Sequence, residues 1–184
     1  MTNRVNFDRR PRSISRRVGV FPNGGVQVFQ GHPGAERRVL TELDTGQKIF
    51  YDGRRGAERK IRTTLPDGQH DYFEGEPGAE HFVRKEFPDG QVTFFDGERG
   101  TERVVRHHFA DGEVQWFDGE KGHERVVRSR SPEGAIFYYV GEKDNEKIVR
   151  CNTPDGVVHL YNDEAGVDVR FASQYPDGTV IFYE

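Results

Sequence analysis

The sequence predicts an all-β protein: an antiparallel meander of eight 22-residue β-hairpin repeats forming an elongated, twisted, single-layer or partly rolled sheet. Three observations carry this expectation. Turn-type tripeptides end at Gly24, Gly46, Gly68, Gly90, Gly112, Gly134, Gly156 and Gly178, each 22 residues after the last. The segments between turns are short and extended in character, suited to strands and too brief for ordinary helices. Finally, 14 Phe and 7 Tyr against a single Met place the apolar material in β-favouring side chains, while 33% hydrophobic against 32% charged content in 184 residues is lean for a large core.

Each copy is numbered here from that glycine as offset zero. A second glycine recurs at offset 7 (Gly31, Gly53, Gly75, Gly97, Gly119, Gly141) and a third at offset 10 (Gly34, Gly56, Gly78, Gly100, Gly122, Gly166). Together the three offsets hold 20 of the 22 glycines, so the chain turns twice per repeat. Six of the nine prolines stand two residues before the zero glycine, and Pro33 and Pro77 share offset 9.

Within a repeat, stretches such as Glu102 to Phe109 and Glu113 to Asp118 read as the two strands of a hairpin. Phe87-Pro88-Asp89-Gly90 suits a type I turn, with proline at the first central position and glycine taking positive φ in a G1 bulge. A two-residue type I′ turn on Asp-Gly is the competitor and shifts the register by one. The bulged turn opposes offset 15 (Val39, Ile61, Val83, Val105, Val127, Val149, Phe171) to offset 5 (Phe29, Tyr51, Phe73, Phe95, Phe117, Tyr139, Tyr161, Tyr183). Both columns are apolar or aromatic in every copy, and such cross-strand pairs are favourable, so the bulged turn is expected. A parallel β-solenoid with 22 residues per coil is the structural alternative.

These two columns define the better-buried first face. The second face carries offset 4 (Val28, Phe50, Tyr72, Phe94, Trp116, Tyr138, Leu160, Phe182) beside Arg62, Arg84, Arg106, Arg128 and Arg150 at offset 16. Arginines at offset 13 (Arg37, Arg59, Arg103, Arg125) are expected on the face opposite to those at offset 16. Glutamates at offset 12 (Glu36, Glu58, Glu80, Glu102, Glu124, Glu146) are expected to pair with arginines across neighbouring strands.

The segment Tyr72-Phe73-Glu74-Gly75-Glu76-Pro77-Gly78, followed by Pro88-Asp89-Gly90, resembles the MORN repeat, and the recurrent Phe-Pro-Asp-Gly resembles the hairpins of centriolar G-box domains. The resemblance spans Val18 to Glu184. It implies an elongated hairpin meander serving as a scaffold or peptide-binding surface, without catalysis.

The residues point the same way. A catalytic constellation would break the repeat, and no break is visible. The seven histidines occupy mostly different offsets, with His107 and His108 projecting from opposite faces, and Cys151 stands alone. No enzyme activity, cofactor or metal site is therefore expected. The candidate binding surface is Phe94, Trp116 and Tyr138 with Arg84, Arg106, Arg128 and Arg150, able to meet a protein or peptide partner that is extended or multivalent. Residues 1–17 form a basic leader of net charge +5 ahead of a repeat body of −9 spanning 18–184. This leader, with the arginine columns, supports an alternative as a recruitment module for membranes or lipid headgroups, while the acidic body argues against nucleic acid. Sugar stacking on Tyr72, Trp116 and Tyr138 is a third possibility. The final strand, with Val180, Ile181, Phe182 and Tyr183, is an unguarded edge ending at Glu184, from which a homo-oligomer is expected. A lone cysteine and the lack of a secretory leader suggest an intracellular, cytoplasmic address.

Overall fold

The computed structural model describes residues 14–164 and 167–183. Sixteen strands form one sheet in sequence order: β1 (Ser15–Val20), β2 (Val26–Gly31), β3 (Arg37–Glu42), β4 (Lys48–Arg54), β5 (Ala57–Thr64), β6 (His70–Glu74), β7 (His81–Glu86), β8 (Val92–Asp96), β9 (Arg103–His108), β10 (Val114–Asp118), β11 (Arg125–Arg130), β12 (Ile136–Val140), β13 (Lys147–Asn152), β14 (Val158–Glu164), β15 (Val167–Gln174) and β16 (Val180–Phe182). The expected meander is the observed one. All pairings are antiparallel between sequence neighbours, which excludes the parallel solenoid. The sheet does not close, and no second layer covers it among the described residues. β1 begins at Ser15, so Arg16 and Arg17 belong to the first strand and not to the leader. Leader residues 1–13, Gly166 and Glu184 lie outside the described residues.

The tight turns take the bulged type I form. Gly90 donates its N–H to the Phe87 carbonyl at 3.0 Å, and Phe87 donates to the Gln91 carbonyl at 2.9 Å; the same two bonds recur in every copy. Gly90 sits at φ 90°, the left-handed conformation that the G1 position needs. The resulting register pairs Arg84 with Phe94 and ends there; Phe95 pairs instead with Val104 of the following strand, so the expected opposition of offsets 5 and 15 is replaced by one of offsets 5 and 14. Successive turns also stack. A Cβ built on Gly68 would lie 3.5 Å from Cγ of Pro88, and one on Gly156 3.2 Å from Cγ of Pro176, so each turn proline packs over the preceding glycine. Over Gly90, where the following turn has Ala110 in place of proline, nothing lies within 4 Å.

The longer connection behaves differently. In all seven strand pairs that it joins, the register slips by one residue next to the offset 4 position: Tyr72 opposes Arg84, and Phe73 then opposes Phe82. Val83 is the extra residue of a β-bulge, and the offset 15 column supplies it each time. Phe82 joins Phe73 on the first face, their ring centroids 4.6 Å apart, while Val83 and Ile61 line a depression with Tyr72, Arg84 and Phe94. Offset 13 then returns to the second face. The expectation that offsets 13 and 16 lie on opposite faces is therefore corrected: Arg103 meets Asp96 at 3.8 Å and Asp118 at 3.4 Å, both on the second face with Phe94 and Trp116.

The offset 12 glutamates bind backbone, in place of the expected arginine pairs. Glu80 accepts from the N–H of Gly78 in its own loop at 3.1 Å and from the N–H of Lys60, twenty residues earlier, at 3.0 Å. Glu58, Glu102 and Glu124 repeat the arrangement, and Asp168 takes the Ile148 N–H at 3.2 Å. The β5–β6 ladder stops at Arg62 and Tyr72, so the carboxylate takes a strand N–H that the neighbouring strand does not reach. Burial pushes the Glu80 carboxyl up, but the N–H groups and the Lys60 charge outweigh it and hold its pKa below the ordinary value.

Two stability measurements test this account. Ala110→Pro should stabilise the protein by about 0.4–1 kcal/mol in urea titration, because the turn already has the backbone form proline prefers and Gly90 has room for the ring. The stapling carboxylates titrate below the ordinary glutamate value of about 4.3, so their contribution is intact above that pH and is lost as pH falls through the lower folded values. The urea midpoint should fall steeply below about pH 4.3, and Glu80→Gln should flatten that fall while costing about 1 kcal/mol near neutrality.

Candidate functional site

The candidate surface is one continuous row crossing the sheet at right angles to the strands. Register pairs place Phe50, Arg62, Tyr72, Arg84, Phe94, Arg106, Trp116, Arg128, Tyr138 and Arg150 side by side on successive strands from β4 to β13. Aromatic ring and guanidinium alternate because offset 4 lies on even strands and offset 16 on odd ones. Each arginine stacks on the ring of the strand before it. The guanidinium carbon lies 4.0 Å from the ring centroid for Arg62 on Phe50, Arg84 on Tyr72 and Arg106 on Phe94, and 3.8 Å for Arg128 on Trp116. The Nε atoms of Arg62, Arg84, Arg106 and Arg128 are buried without a hydrogen-bond partner, so the stacked ring is what compensates their burial.

All seven predicted surface residues fall in this row, and the structure adds Phe50, Arg62 and Tyr72 from the same two columns. Arg84 is tied down by Glu86 at 3.1 Å, which also accepts from the Tyr72 hydroxyl at 2.8 Å. Arg150 breaks the pattern: its Nε donates to Asn152 at 2.7 Å and its guanidinium stands 5.6 Å from Tyr138. One ring face of Tyr72 and of Trp116 is occupied by an arginine, which removes it as a platform for a sugar.

Charge is partitioned across the rows. From β8 to β13, the ladder and the row beside it toward the tight turns carry Arg106, Arg128, Arg130 and Arg150 and no carboxylate. The row on the other side runs Asp96, Arg103, Asp118, Arg125, Val140 and Lys147, so carboxylates stand beside its first cations. Its arginines are further occupied with loop carbonyls: Arg59 reaches Gly75 O at 3.1 Å, Arg103 reaches Gly119 O at 2.8 Å and Arg125 reaches Gly141 O at 2.9 Å. They brace the loops, whereas the offset 16 column and Arg130 present cations outward.

The remaining candidates are dispersed. His107 bonds Thr93 at 2.8 Å and Gln91 at 3.0 Å on the first face, and burial lowers its pKa; His108 lies on the second face, its ring 5.1 Å from Phe94. Cys151 is buried, and burial pushes its thiol up. Among the described residues no three His, Cys, Asp or Glu side chains converge as metal ligands would. Strand β16 is short and exposed, with Val180, Ile181 and Phe182 open to solvent, while Tyr183 is half-buried and donates its hydroxyl to Ser173 at 3.1 Å. Among the described residues no helix is long and apolar enough to cross a membrane.

Fold and site together define an open, single-layer β-repeat protein with an arginine–aromatic ladder on one face. No family model matches the chain, and no curated protein matches it.

Arg106→Ala should cost about 1–2 kcal/mol in urea denaturation, and Arg106→Lys about half of that, since a lysine keeps the charge and loses the planar stack.

Proposed function

We propose that this chain is a non-enzymatic interaction scaffold, whose second face is the recognition surface for an extended or multivalent protein partner of acidic character. The observation that carries the reading is the ladder itself. Five arginines repeat once per hairpin along a straight row, four of them with Nε held against a ring. Stacking pre-orients the guanidinium groups, so less side-chain entropy is lost when a carboxylate binds their outer edges. A single-layer sheet keeps this row accessible along its length, and repetition suits an extended partner better than one small substrate.

Trp116 is the only tryptophan and lies inside the ladder, so its fluorescence reports binding there. Poly-L-glutamate should perturb that emission with an affinity that falls as salt rises. Replacing Arg106, Arg128 and Arg150 by glutamine should weaken it at least about tenfold, a change of about 1.4 kcal/mol. Replacing Arg59 and Arg125 should leave it nearly unchanged, because those groups face loop carbonyls. Equal binding by both variants, or no response from the native chain, would overturn the reading. Binding to phosphatidylserine vesicles without binding to poly-L-glutamate would favour the membrane alternative.

A further inference from the structure

A sheet with one apolar face ordinarily buries that face against a second layer. Here the face opposite the ladder supplies what such a layer would cover. From Phe73 in β6 to Tyr161 in β14, the outer row of the first face holds only aromatic and branched aliphatic residues, with Phe95, Val104, Phe117 and Val126 at its centre. Most of these side chains are only half-buried. Beside them runs a row that begins with Asp71 and Lys85 and continues from β8 with neutral groups, several bonded to one another: His107 to Thr93 at 2.8 Å, Ser129 to the Tyr139 hydroxyl at 2.9 Å and His159 to Ser173 at 2.7 Å. Covering this face therefore leaves few polar groups stranded. Covering the second face would instead desolvate four arginines that no carboxylate offsets.

We propose that a second copy of this chain covers the first face, the two sheets packing face to face as a β-sandwich with both ladders outward. A largely apolar band with few charges is matched by another of the same kind, and a second copy carries one of the same length and row spacing. Nine strands about 4.8 Å apart and three rows deep give roughly 600 Å² per partner, or about 1,200 Å² in total, at the lower end of what specific interfaces bury. Two depressions open on this face. One of about 480 Å³ joins Val104, Phe117 and Val126 to charged Glu124, Lys143 and Glu146 at its rim, and one of about 200 Å³ joins Phe82 and Phe95 to Lys85, Glu102 and Lys121; both are large enough to receive a partner's side chain. The dimer stands independently of the ladder's role. If the ladder binds an acidic partner, the assembly is bivalent and gains avidity from two outward rows.

Light scattering of the full chain over a hundredfold concentration range should give the mass of two chains. Phe95→Lys and Phe117→Lys should each shift it to one chain with the strand signal in circular dichroism retained, and Trp116→Lys should leave the dimer intact. As a second readout on a Cys151→Ser background, the thiol introduced by Val126→Cys should react with maleimide at least about tenfold more slowly at concentrations where the dimer forms, whereas one introduced by Arg130→Cys on the other face should not change. A single-chain mass throughout, or a dimer that survives both lysine substitutions with the Val126→Cys thiol open, overturns the proposal. Loss of the dimer on Ile181→Lys alone also overturns it and moves the contact to the β16 edge. Poly-L-glutamate binding by the monomeric Phe117→Lys chain would persist if the ladder reading holds, so the two ideas fail separately.

Discussion

Every odd strand from β3 to β15 carries one residue more than its partner can pair, and the position of that residue governs most of what the molecule presents. The bulge at offset 15 brings offset 14 to the first face and returns offset 13 to the second. Without it, strict alternation would send Arg103 and Arg125 to the first face and interrupt the largely apolar band there. Seven repetitions of the same slip keep the two faces chemically distinct along the sheet.

A sheet one layer thick has no central core, and few of its large apolar side chains are fully buried. Cohesion comes from contacts between neighbouring repeats, as in other quasi-one-dimensional proteins. Prolines pack over the glycines of the preceding turn, glutamates staple strand N–H groups of the repeat before, and arginines brace the loop that follows. Each is modest alone. Their value lies in linking units that could not be stable as isolated hairpins.

The two faces divide the work. The ladder holds cations on aromatic rings, outward and without carboxylates over its C-terminal half, while the opposite face is largely apolar, with Lys60, Asp71 and Lys85 as charges near β5 to β7. This separation makes one face costly to dehydrate and the other cheap. The proposed recognition by charge and the proposed association by apolar contact therefore fall on opposite sides of the same thin sheet.

The period, the number of strands, the tight-turn geometry and the alternation of Phe94, Arg106, Trp116 and Arg128 were all legible in the amino-acid sequence. Each depends on residues close in the chain: a proline and a glycine set the turn, and the turn sets the register of its two strands. The partners of Glu80 and Arg103 were not legible in that way. Glutamate and arginine columns suggest one another by charge, yet both sets of side chains spend themselves on backbone groups in adjacent repeats, because the loops leave N–H and C=O groups unpaired within reach. The bulge was hidden for a related reason. An apolar residue at offset 15 fits an ordinary strand position equally well, and only the competing demands of two neighbouring strands, one reached by a tight turn and one by a longer loop, force the extra residue out of the ladder. Local chemistry thus determined the repeat, and the assembled sheet decided which side each charge would face.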